Sequence, residues 1–252
     1  YAWGISADLI SDVSGAGLIR VASLRQIEEL GDIPIEEIAR KLFVRYIATG
    51  TLWKIENVFQ LSLELYDTEE SKVIWSNRWQ EAWENLPSIK GKLAENILNT
   101  LNVTTTQEVA KAPTINTEAY EFYLKGKYRY EKRENMEDTE IARGLFRKAI
   151  ELDDNLIAAK NYLGSTYYGT GDYDSAMEIY DKALQQAKEL GEKKEIANLL
   201  QVISEVYLMK NENDKAMEYT QESLAICEEI GNKLGIAKSL MVIGMINEME
   251  FH

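Results

Sequence analysis

Apolar residues recur along this chain with two different periods, and the change between them divides it. Up to residue 104, helical and extended patterns alternate. Ile5, Leu9, Ile10 and Val13 follow a helical period that Gly15-Ala16-Gly17 ends. Residues 18–22 read as a buried strand. Asp32 and Pro34 open a second helix with the apolar face Ile35, Ile38, Ala39 and Leu42. Residues 44–55 are rich in Val, Tyr, Ile, Thr and Trp and read as extended. Residues 58–67 alternate strictly, with Phe59, Leu61, Leu63 and Leu65 on one face. Residues 72–80 place Val73, Trp75 and Trp79 on one face. Turns at Glu56-Asn57 and at residues 67–71 make these runs consecutive antiparallel hairpins. Leu86, Ile89, Leu93, Ile97 and Leu101 then form an amphipathic helix able to cover the sheet. The expected fold of residues 1–104 is α+β, one sheet face wet and the other under helices.

Residues 105–116 carry threonines and Pro113 without periodicity, which predicts a linker. From Thr117 onward every pattern is helical, and the sequence repeats itself with a step of 40 residues. Residues 190–197 (LGEKKEIA) align with 230–237 (IGNKLGIA), and Asp174-Ser175-Ala176-Met177 with Asp214-Lys215-Ala216-Met217. A unit of this length cannot bury its apolar face alone, so its recurrence predicts an all-α solenoid over residues 117–252.

The residues of that segment resemble tetratricopeptide (TPR) repeats. The clearest copy carries Leu163-Gly164 and Tyr167 in its first helix and Ala176, Tyr180 and Ala183 in its second. An earlier copy has Tyr120, Tyr123, Leu124, Gly126, Tyr130, Ala142, Phe146 and Ala149, with extra residues around 132–139 expected to lengthen its inter-helix turn. The next has Ile203-Ser204, Tyr207, Ala216, Thr220 and Ser223, where Ser, Thr and Ser depart from the pattern and imply a looser pair. The last has Leu240, Ile243 and Gly244 and stops after one helix, for a total of about three and a half repeats. Val242 and Ile246 of that helix lack a following cap, which predicts a homo-oligomer or loss of later repeats.

Residues 1–104 resemble the TolB amino-terminal-like domain. The pieces are Gly4 to Ile10 as first helix, Leu18 to Ser23, Ile38 to Gly50 as helix into strand, Leu61 to Asp67, and Ile74-Trp75 with Arg78-Trp79. The strand expected before the first helix is missing, and the start Tyr1-Ala2-Trp3-Gly4 suggests a cut or processed chain. The resemblance implies a bacterial signalling protein whose attached effector is a class III nucleotide cyclase, a kinase or a winged-helix domain.

Composition narrows the function. The net charge of −14 divides into −5 over residues 1–105 and −9 over the rest, so both parts repel phosphate backbones and no nucleic-acid partner is expected. No run reaches the roughly 18 apolar residues of a membrane span. Cys227 is the only cysteine and His252 the only histidine, which leaves no internal disulfide, no zinc set and no Ser-His or Cys-His pair. A reducing compartment, the cytoplasm, is expected, with the periplasm as the alternative. Ser14-Gly15-Ala16-Gly17 joins helix to strand, the reverse of a dinucleotide loop. Gly91-Lys92 and Gly126-Lys127 lack the rest of a phosphate loop. Asp8 and Asp12, one helical turn apart, supply too few oxygens for a cation. Trp53, Trp75, Trp79 and Trp83 could suggest a stacking platform, but for at least Trp75 packing beneath the helices is the expected role. No catalytic residue, cofactor or metal is expected.

What remains is a solenoid groove. Counting from Ile157, its first-helix positions are Asn161, Ser165, Tyr168, Asn198, Gln201, Glu205, Leu208, Lys238, Met241 and Met245. Amides, a tyrosine and pliable methionines suit a peptide or protein partner. Only Lys238 is basic, which disfavours a clamp for a C-terminal carboxylate. The expected function is a non-catalytic regulatory scaffold. The alternative is a small-molecule sensor whose pocket lies between the sheet and residues 93–101, controlling the attached effector.

Overall fold

A computed structural model describes residues 2–15, 21–103 and 114–250. It divides into two compact units, Tyr1–Thr117 and Glu118–His252.

The first unit is α+β. Helix α1 (Ala2–Gly15) buries Ile5 and Val13. The strand expected at residues 18–22 falls mainly outside the described residues, and Val21 and Ala22 lie in neither strand nor helix. Ser23 instead starts α2 (Leu24–Glu28) with a reciprocal cap, its hydroxyl accepting from the Gln26 N–H while the Gln26 side chain accepts from the Ser23 N–H. Helix α3 (Ile35–Leu42) follows Pro34, buries Ala39 and Leu42, and stops at Phe43 in the left-handed region at φ 54°. Strands β1 (Tyr46–Ile55), β2 (Val58–Asp67) and β3 (Lys72–Ala82) form an antiparallel meander.

On β2 the alternation works as expected: Phe59, Leu61, Leu63 and Leu65 are all buried. Leu86, Ile89, Leu93 and Ile97 of α4 (Leu86–Thr100), joined by Ala94 and Leu98, are buried with them. One strand departs from its pattern. Trp75 pairs with Leu65 and Trp79 with Leu61 on the core face, but a bulge between Leu65 and Tyr66 pairs Val73 with Tyr66 on the wet face. One extra residue reverses the alternation beyond it, so Val73 is exposed. The tryptophans separate accordingly. Trp83 is buried edge-on to Phe59 with the Lys54 ammonium 3.9 Å from its ring centroid, Trp75 and Trp79 are half-buried, and Trp53 is 63% exposed. At the hairpin end Arg45 clamps buried Asp67, donating at 2.7 Å, and this holds the carboxyl below its usual range.

The second unit is a helical repeat solenoid: α5 (Thr117–Glu131), α6 (Met136–Leu152), α7 (Ile157–Tyr168), α8 (Tyr173–Leu190), α9 (Lys193–Met209), α10 (Asn213–Glu229) and α11 (Lys233–Glu250). Its turns follow the sequence step. Gly171 and Asn211 occupy equivalent positions at φ 80° and 59°, the left-handed backbone that Gly adopts freely and Asn tolerates. Gly191 and Gly231 do the same at the turns after α8 and α10. The extra residues near 132–139 do not lengthen a turn. Asn135 caps the Asp138 N–H, Glu137 and Asp138 favour the first turn electrostatically, and the additional residues become helix.

Packing inside each pair rests on one contact. A Cβ added to Gly126 would lie 2.8 Å from the Phe146 ring, and one added to Gly164 would lie 2.3 Å from that of Tyr180, so only glycine admits these rings. In the third pair Ser204 faces Thr220 instead. Their hydroxyl oxygens lie 2.6 Å apart and 2.9 and 2.7 Å from the Ala216 carbonyl oxygen, so one hydroxyl donates to that carbonyl while the other donates to the carbonyl or to its partner hydroxyl. Ser223 donates to the Ala197 carbonyl at 3.0 Å. All three side chains are buried, so the departures from the repeat pattern close this pair rather than loosen it.

Candidate interaction groove

The first helices of successive pairs lie side by side. Tyr130 of α5 donates to the Ser165 carbonyl of α7 at 2.7 Å; α7 touches α9; Gln201 of α9 donates to the Gly235 carbonyl of α11 at 3.2 Å. The second helices form the other layer, tied by Lys188 to Glu222 at 3.2 Å. Because the helices are in register, groove residues form rows across the wall. Asn198 and Lys238 make one row, Asn161, Gln201 and Met241 a second, Ser165, Glu205 and Met245 a third, and Tyr168 and Leu208 a fourth.

The structure uses these residues differently. Asn161, Ser165, Tyr168, Asn198, Gln201 and Leu208 are half-buried, whereas Glu205, Lys238, Met241 and Met245 are exposed. Ser165 is committed to the fold, its hydroxyl donating to the Asn161 carbonyl and receiving the Tyr180 hydroxyl at 3.2 Å. Gln201 is committed to α11. The Asn198, Glu205 and Lys238 side chains make no hydrogen bond or ion pair among the described residues.

Glu205 has a distinctive setting. Its surface is open to solvent, yet enough protein surrounds it that desolvation raises its carboxyl above the ordinary value, while the positive field of Lys238 opposes that shift. Its field in turn raises the Tyr168 hydroxyl, whose own burial is the larger cause, and Tyr168 packs on Tyr173 with ring centroids 5.7 Å apart.

The α5 contribution to this wall was not among the positions read from sequence, because the count began at Ile157. The equivalence of Gly126 and Gly164 places Tyr123 in the row of Asn161, Lys127 in that of Ser165, and Tyr130 in that of Tyr168. All three are buried, with Tyr123 5.9 Å from Tyr162 and the Lys127 ammonium 5.5 Å from the same ring.

The remaining candidates are structural. Gly126 sits under Phe146 inside α5 and Gly91 lies inside α4, so neither opens a phosphate loop. Asp8 is buried on α1, while the Asp12 side chain and residues 16–17 lie outside the described residues. Cys227 is fully buried and its thiol is pushed up by burial, the opposite of an activated nucleophile. No three His, Cys, Asp or Glu side chains among the described residues are grouped to hold a metal, and no described helix is long and apolar enough to cross a membrane.

Known structures similar to the chain include the N-terminal domain of stress-induced protein-1 from C. elegans (20% identity, TM-score 0.41, covering 53% of this chain and 98% of that one). Another is aspartyl phosphate phosphatase F from Bacillus subtilis (16% identity, TM-score 0.41, covering 58% and 37%). A curated relative from Rhizobium meliloti, named adenylate cyclase 3, is 24% identical over 165 residues, which are 63% of this chain and 28% of that protein. The chain thus spans little more than a quarter of the relative's length. Residues 155–229, from just before α7 to the end of α10, match the family model of the tetratricopeptide repeat.

Proposed function

We propose that the chain is a non-catalytic regulatory and interaction segment whose first-helix wall docks a peptide of a partner protein. The observation that carries this reading is the shared wall: Asn161 on α7 and Asn198 and Glu205 on the neighbouring α9 are at least partly open, and the Asn198 and Glu205 side chains make no hydrogen bond or ion pair among the described residues. Side-chain amides spaced by successive helices suit the backbone of an extended or helical peptide, and Met241 and Met245 adapt to its apolar side chains. Residues 1–104 would be a TolB amino-terminal-like domain and residues 105–116 a linker. The name of the curated relative supports an attached nucleotide cyclase in a bacterial signalling protein.

The test is selection of peptides from a displayed random library against the whole chain. Enriched peptides should lose at least tenfold in affinity when Asn198→Ala and Glu205→Ala are introduced, with the melting temperature held. Enrichment that ignores both substitutions defeats the reading.

The alternative of a small-molecule sensor places a pocket between the sheet and residues 93–101. Against it, Leu93, Ala94, Ile97 and Leu98 are at most 5% exposed, so apolar side chains already occupy that layer. A metabolite screen by thermal shift on the whole chain checks it directly.

A further inference from the structure

Four tyrosines stand around the α7–α9 stretch of the wall, and the fold engages the hydroxyls of two. Tyr130 donates to the Ser165 carbonyl at 2.7 Å and Tyr180 to the Ser165 hydroxyl at 3.2 Å. Tyr168, at the end of α7, and Tyr173, at the start of α8, are half-buried. Their ring centroids lie 5.7 Å apart with the planes tilted by 47°, and their hydroxyls make no hydrogen bond among the described residues. Glu205 is the α9 equivalent of Ser165, and its charge is felt at both Tyr168 and Tyr180. It is open to solvent and unbonded among the described residues. Lys238 is the cation whose field reaches it, but no ion pair forms. Lys238 stands seven residues before Met245, whose row Glu205 shares, and so about 10 Å away along the helix direction. Tyr168 stands in the next row on the opposite side. The carboxylate therefore has open aromatic rings toward one end of the groove and a distant cation toward the other. Its openness belongs to the wall itself, since α5 and α11 stand on either side of α7 and α9.

We propose that Glu205, Tyr168 and Tyr173 form a subsite for a guanidinium group, the side chain of an arginine in the docked peptide. The subsite rests on the groove reading and adds to it the chemistry of the ligand. A guanidinium is planar, so it can lie against a tyrosine ring face, which attracts cations, while its fork of N–H groups donates to a carboxylate. A lysine ammonium supplies the charge without the flat stack. The protein around Glu205 has already removed part of its water, and a cation in contact with it supplies the pairing that the fold withholds. Ser165, its equivalent one pair earlier, shows the contrast, because there Tyr130 and Tyr180 already meet every exposed need of the position. A basic ligand also agrees with the net charge of −14, which draws cations toward the chain.

The test takes peptides selected on the whole chain from a displayed random library and keeps those that Asn198→Ala weakens, which is the criterion of groove docking. These should share an arginine. Synthetic copies are titrated by fluorescence anisotropy with that arginine replaced by citrulline, which keeps the shape and removes the charge, or by lysine. Citrulline should weaken binding about tenfold and lysine about threefold. On the Glu205→Gln chain the arginine-to-citrulline ratio should fall below about twofold, with the melting temperature confirming the fold. Because the acidic chain attracts any basic peptide, that ratio decides, not the affinity itself. Tyr168→Leu, which installs the residue that stands at the equivalent position 208, should weaken the arginine peptide about threefold. Asn198-dependent peptides without arginine, or a citrulline loss that survives Glu205→Gln, overturn the subsite and leave the groove reading standing. The absence of any Asn198-dependent peptide overturns both.

Discussion

The second and third helix pairs stand 40 residues apart in the same register and close the same gap by opposite means. Between α7 and α8 a tyrosine ring lies on a glycine, and between α9 and α10 two hydroxyls bond each other and a backbone carbonyl. Both solutions are fully buried. What the two pairs share is therefore filled volume and satisfied bonding, not residue type. A large ring requires the facing residue to have no Cβ. Once serine supplies one, the ring must shrink, and the polar atom left behind must find a partner.

This comparison can be broken most severely at the ring. Tyr180→Ala leaves a cavity against Gly164 and should cost about 3–5 kcal/mol, read from urea unfolding of the helical unit. Gly164→Ala forces a Cβ 2.3 Å from the ring and should cost about 1–3 kcal/mol, with Ala's better helix propensity unable to offset the clash. If the two solutions are interchangeable, Gly164→Ser combined with Tyr180→Thr should be milder than the sum of its single changes by about 0.5–3 kcal/mol, in a double-mutant cycle. In the third pair Ser204→Ala removes one of two hydroxyls that reach the Ala216 carbonyl. The loss should be only about 0.5–1.5 kcal/mol, because Thr220 keeps its own bond to that oxygen.

The smallest effect lies on the groove side of the same helices, where Ser165 and Glu205 are equivalent. Ser165 is bonded, and Glu205 is crowded and unbonded with its carboxyl raised. A carboxyl that holds its proton more readily when folded makes the folded state bind more protons. Its contribution to stability therefore falls as pH rises from the ordinary carboxylate range through the raised value. Glu205→Gln should give a small gain in melting temperature at pH 7 that vanishes near about pH 4. Ser165→Ala should lower the melting temperature at both.

Much of the groove is countable along the chain, since the 40-residue step places Asn161, Gln201 and Met241 in one row by arithmetic. The count does not say that Gln201 is bound to the α11 backbone while Asn198 stays unbonded. Such bonds depend on inter-helix separations of an ångström or less, which no periodicity encodes. Tyr123, Lys127 and Tyr130 escaped for a simpler reason. They precede Ile157, where the groove positions begin, and the step from Gly126 to Gly164 is 38 residues rather than 40.

By itself the sequence determined the two periods of the chain and hence an α+β unit followed by stacked helix pairs. It also determined which face of β2 is buried, because this follows from alternation, a local property. Only the tertiary structure decided that Val73 faces water across a bulge and that Ser204 and Thr220 seal their pair. Each of these depends on what a second element places opposite the residue, and that placement is a property of packing.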